Sequence, residues 1–171
     1  MALTPPPLIV VVHGGRACAQ AFVARDGAAE AGARSRLVAV ADLAVGDPGS
    51  GGPGSGGPGS GGPGEEQWEL LAEADGILFG APLPLPEALA RGGWQGKPAA
   101  GFVRPDGDAE GRLRELAAMA EALGMSWIGP AGPPGRFVGP GPDPVLDAVR
   151  RLGSRMARMA RLAGAAPGGV S

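Results

Sequence analysis

Five short apolar runs recur along the chain, each bounded by turn-forming residues and, except between the third and the fourth, separated from the next by a stretch of helical spacing. The first, Leu8–Val12, is continuous and rich in β-branched residues, the pattern of a strand buried on both faces. Arg36–Val40, Gly76–Phe79, Pro98–Val103 and Ser126–Gly129 are shorter and read as strands. Helices are predicted at Ala17–Arg25, Glu65–Ala74, Ala109–Leu123 and Pro144–Leu162. Strands alternating with helices make an open parallel sheet covered on both faces.

Two helices carry their own punctuation. Asp108 stands where a side chain caps the first turn of the third helix, and Gly124 where a left-handed residue ends it. Leu113, Leu116, Ala117, Ala120 and Leu123 form its apolar stripe. In the last helix Asp143 caps and Pro144 takes the first helical position. Leu146, Val149, Leu152, Met156 and Met159 line one face of it. Arg150, Arg151, Arg155, Arg158 and Arg161 fall elsewhere, mostly toward its negative end, as a solvated face would. A surface for an acidic partner is the alternative reading of those arginines.

A Pro-Gly-Ser-Gly-Gly repeat runs from Pro48 to Gly64. It has nothing to bury and much entropy to lose, so it reads as a flexible loop. It falls between a strand and a helix, so we expect one domain over residues 1–164, interrupted at 46–64, with a disordered tail at 165–171. The length of 171 residues suits one domain. Hydrophobic residues at 44% suffice for a core, but aromatics at 4%, with no Tyr, leave it to Ala, Leu, Val and Met. A net charge of −2 lacks the basic footprint of nucleic-acid binding. Lys97 is the only lysine. Cys18 is the only cysteine, which rules out an intrachain disulfide and fits a reducing compartment. Leu8–Val12 is too short to span a membrane, and three prolines precede it where a signal peptide carries basic residues. A cytoplasmic protein is expected.

Several stretches, taken in order, carry a family likeness. They are Gly15-Arg16-Ala17 followed by Ala21, Asp26-Gly27-Ala28 and Ala31-Gly32-Ala33; Ala74-Asp75-Gly76-Ile77-Leu78-Phe79-Gly80-Ala81-Pro82; Gly96-Lys97-Pro98-Ala99-Ala100-Gly101-Phe102; Gly124-Met125-Ser126-Trp127-Ile128-Gly129; and Leu152-Gly153-Ser154-Arg155-Met156-Ala157. Together they resemble the flavodoxin-fold quinone oxidoreductases of tryptophan-repressor-binding-protein type (WrbA-like) and the NADPH-dependent FMN reductases. The resemblance implies a three-layer α/β sandwich with strand order 2-1-3-4-5. It also implies FMN as cofactor, NAD(P)H as electron donor, a quinone substrate and a homo-oligomer. The ligand would sit at the carboxyl ends of the strands.

Three loops would hold it. His13, Gly14, Gly15, Arg16 and Ala17 match the phosphate-binding loop, where backbone N–H groups and the Arg16 charge would meet the anion. His13 reads either as an aid to anion binding or as a partly exposed loop residue. Pro82, Leu83, Pro84 and Leu85 match the loop that walls the flavin ring. Arg104, Pro105, Asp106 and Gly107 match the third loop.

The pattern departs from the family at chosen points. The family's hydroxyl positions are Val12 and Ala17, and the prolines of the second loop lack N–H donors. The segment from Pro82 to Lys97 is shorter by about one helix, on the resemblance. Trp94 suits a core position better than a flavin-side one, and Cys18 a packed position better than a reactive one. No catalytic side chain and no metal constellation stands out, with one His and one Cys in the chain. Two functions are therefore expected as alternatives: an FMN-dependent NAD(P)H:quinone oxidoreductase with a weakened flavin site, or a non-catalytic binding or oligomerisation protein of the same fold.

Overall fold

In the computed structural model of the chain, residues 5–14, 19–43, 65–81, 93–103, 108–130 and 143–165 are described, and structural statements below concern these. Five parallel strands form one sheet in the order β2-β1-β3-β4-β5. They are β1 (Leu8–His13), β2 (Arg34–Ala39), β3 (Gly76–Ala81), β4 (Pro98–Val103) and β5 (Ser126–Pro130). The helices are α1 (Ala19–Glu30), α2 (Val40–Leu43), α3 (Glu65–Glu73), α4 (Ala109–Ala122) and α5 (Pro144–Ala165). This is the doubly wound sandwich that the alternation predicts.

Every residue of β1, β3 and β4 is buried, because helices cover both faces of the central strands. Leu8, Val10 and Val12 point into one core, with Ile77, Phe79, Leu71 of α3 and Leu116 and Ala120 of α4. Trp94 is buried there too. Ile9 and Val11 point into the other, with Leu78, Phe102 and the small faces of α1 and α5. Edge strand β2 is only half covered, and its residues alternate.

α1 and α5 approach backbone to backbone. A Cβ added at Gly27 would run into the Arg150 carbonyl, and one at Gly153 into the Ala24 carbonyl. Ser154 Oγ donates to the Gly27 carbonyl at 2.8 Å across the same crossing. Gly27 lies inside α1, where that contact excludes any larger residue. α1 therefore spans Ala19–Glu30 instead of ending at Arg25. The same crossing shifts the buried row of α5 to Val149, Leu152, Gly153, Met156, Ala157 and Ala160, and Met159 is exposed.

The amino-terminal edge of the sheet is closely tied. Leu8 N donates to Asp75 Oδ2 at 2.7 Å, and Asp75 N returns a bond to the Leu8 carbonyl at 2.8 Å. Lys97 Nζ donates to the carbonyls of Leu71, at 3.1 Å, and Ala72, satisfying the last turn of α3. Burial lowers the Lys97 pKa below its ordinary 10.5, against an opposing pull from the Asp75 charge. α1 and α4 each end in a paired turn. Ala33 N bonds Ala28 O and Gly32 N bonds Ala29 O, as Met125 N bonds Ala120 O and Gly124 N bonds Glu121 O. Gly32 and Gly124 have φ of 80° and 75° there, a region costly for any residue with a Cβ.

Other expectations are corrected. Asp108 precedes α4 but makes no capping hydrogen bond, with φ −133° and ψ 36°. Asp143 does cap α5, accepting from Val145 N and Leu146 N. β2 starts two residues earlier than its apolar run, since an edge strand tolerates polar residues at its start. The one-turn α2 carries no periodic signal and was not anticipated. α5 runs to Ala165. The repeat at 46–64, Cys18 and residues 166–171 lie outside the described residues. Among the described helices none is long and apolar enough to cross a membrane.

Candidate functional site

The carboxyl edge has a different character. Among the described residues only two polar side chains are buried, His13 and Gln20, each 7% exposed. Both belong to this edge. His13 is the last residue of β1, flanked in the sheet by Ala39 of β2 and Gly80 of β3. It is therefore a buried strand residue, not the partly exposed loop histidine that the sequence suggests. Its ring Nδ1 donates to the Gly14 carbonyl at 2.8 Å, since that oxygen can only accept.

Gln20 lies in the first turn of α1. Its Nε2 donates to the carbonyl of Val103, the last residue of β4, at 3.2 Å. That carbonyl can only accept, so the carboxamide is fixed with nitrogen toward Val103. Its Oε1 is buried and has no hydrogen-bond partner among the described residues. The bond ties the described start of α1 to the carboxyl end of β4.

Of the residues expected to bind a cofactor, His13 and Gly14 are described and stand together at the end of β1. Gly15, Arg16, Ala17, Pro82, Leu83, Pro84, Leu85, Arg104, Pro105, Asp106 and Gly107 lie outside the described residues. Val12 is 1% exposed and packs in the α3–α4 core, out of reach of this edge. No described residue at the edge carries a hydroxyl. Gln20 was missed from sequence. Its signal is a spacing of four: Gln20, Ala24 and Ala28 share one row of α1, and all three are buried. No three His, Cys, Asp or Glu gather to hold a metal among the described residues.

Solved structures share this architecture. The chain is similar to a WrbA-like flavodoxin from Agrobacterium tumefaciens, at 22% identity and a TM-score of 0.58 over 91% of this chain and 98% of that one. It is similar to diflavin flavoprotein A3 from Nostoc sp., at 17% identity and a TM-score of 0.56 over 94% and 99%. It also resembles a flavone reductase, at 15% identity and a TM-score of 0.61, covering 94% of this chain but 65% of that longer one. No protein-family model matches the sequence, and no curated protein does. At these identities the likeness is one of fold, and the fold is that of the flavodoxins. The chain is a flavodoxin-fold protein.

Proposed function

We propose that the chain is a flavoprotein of the WrbA-like quinone-reductase type, holding FMN weakly at the carboxyl edge. The observation that carries this reading is the edge itself: the two buried polar side chains among the described residues, His13 and Gln20, both stand at the carboxyl edge, where this fold binds ligands. Among the described residues, Gly14 at the end of β1 would present its main-chain N–H to the phosphate-bearing end of such a cofactor. FMN bound there would supply hydride chemistry between NAD(P)H and a quinone, and the chain would hold and orient it. The missing hydroxyls make that grip a backbone one.

A second reading is a non-catalytic binding or oligomerisation protein. It is favoured by the edge without hydroxyls and by Met159 and Leu162, exposed on the outer face of α5 as a surface for a second copy. A visible spectrum of the purified protein and an FMN titration decide between them. We expect a flavin band, or binding that saturates below about 100 μM. No binding at ~100 μM, roughly −5.5 kcal/mol of affinity, would leave the second reading.

A further inference from the structure

Two helices on opposite faces of the sheet carry opposite charge. α3 packs in the core of Val10, Ile77 and Phe79, and has four glutamates with no basic residue. α5 packs in the other core and has five arginines against one aspartate, Asp147. In projection down α3, Glu66, Glu69 and Glu73 fall opposite buried Leu71, and all three are exposed. Arg151, Arg155 and Arg158 fall in the same way opposite buried Gly153 and Ala160 of α5, and all three are exposed. Each row covers seven residues of helix, a rise of about 10 Å. The steps are three then four along α3, and four then three along α5. The rows therefore match charge for charge when the helices run antiparallel.

The chain does not satisfy these charges by itself. Arg150 and Arg151 are bridged to Glu30 and Asp147. Among the described residues, the side chains of Glu66, Glu69, Glu73, Arg155 and Arg158 enter no ion pair. Met159 and Leu162, 39% and 68% exposed, adjoin the arginines and add apolar area to a contact that charge would orient.

We propose that α5 docks on α3 of a second copy of this chain, with Arg155 and Arg158 meeting the second copy's Glu69 and Glu66. Because the two helices lie on opposite faces of one sheet, the contact is head to tail. Copies then add in a row, each end keeping one face open, instead of closing as a symmetric pair. The proposal rests on neither reading of function: it uses the faces of the sandwich, not the carboxyl edge.

The test follows the weight-average mass of the full chain by sedimentation over a range of protein concentrations. At about 20 mM salt the mass should keep rising with concentration, and at ~500 mM it should return to that of one chain, because exposed charges are screened. The double variants Arg155→Glu with Arg158→Glu, and Glu66→Arg with Glu69→Arg, should each weaken association by at least about tenfold through like-charge repulsion. Mixed in equal amounts, the two variants should associate again, since every face then has an opposite partner. Wild type that stays a single chain at low salt overturns the proposal, as does a closed dimer indifferent to salt. Folded variants that remain single chains on mixing overturn it too. A single chain that co-sediments with phosphatidylserine vesicles does the same, and gives the arginines to a lipid surface. The wild-type salt series decides the matter even where a variant does not fold.

Discussion

The two edges of one sheet are built on opposite terms. At the amino edge, polar groups find partners inside the protein. Leu8 and Asp75 exchange bonds, Lys97 takes two helix-end carbonyls, and paired turns at Gly32 and Gly124 close α1 and α4. At the carboxyl edge, Gln20 donates to Val103 O and its oxygen stays buried without a partner. Unfilled hydrogen-bonding capacity is a cost to folding, and among the described residues it falls on Gln20 and on Gln67 of α3.

The contrast can be attacked from three sides. The largest effect is expected at the crossing that supports both edges. Gly153→Val drives a side chain into the Ala24 carbonyl and must separate α1 from α5. We expect a loss of about 3 kcal/mol in urea unfolding. A loss under roughly 1 kcal/mol would show that the helices slide apart easily. Next, Asp75→Ala removes the acceptor of Leu8 N–H at the amino edge and should cost about 1–2 kcal/mol with no change in ligand binding. A cost near zero in the same unfolding measurement would show that Leu8 N–H does not depend on that carboxylate.

The smallest effect concerns Lys97. Its pKa in the fold lies below 10.5 because burial disfavours the charge, so the unfolded chain holds the proton more tightly. Stability from this group therefore rises with pH between the folded value and 10.5, and is flat below the folded value. Chemical denaturation of wild type and Lys97→Met from neutral pH to about pH 10 should show the difference moving in favour of wild type as pH rises. A difference that moves the other way would place Lys97 in a stabilising ion pair with Asp75.

How much of this was legible depended on whether a signal was local. The unbroken run at Leu8–Val12 announces a central strand because both faces must be apolar, and the burial of all of β1 follows. The strand order rested on family resemblance, since periodicity carries no information about neighbours. The misreadings share a cause. The first helix seems to end at Arg25, and Met159 looks like core, unless the close crossing of α1 and α5 is known. That crossing joins residues over a hundred positions apart, as Ser154 and Gly27 show. Asp108 has the right identity for a cap, but identity does not set φ and ψ. Within the site, His13 was visible as the only histidine, but its burial was not. Gln20 was hidden because amphipathic patterning is weak in a helix built of alanine.

The contact of α1 with α5 through main-chain atoms has one more implication. Where helices meet through long side chains, rotamer changes let them shift by small increments under selection or thermal motion. Gly27 and Gly153 leave no such slack: carbonyl and Cα surfaces set the spacing directly. The crossing thus acts as a fixed datum for how α1 lies on the sheet. Changes in the chemistry of the carboxyl edge must come from replacing residues there, because the platform beneath them has no adjustable parts.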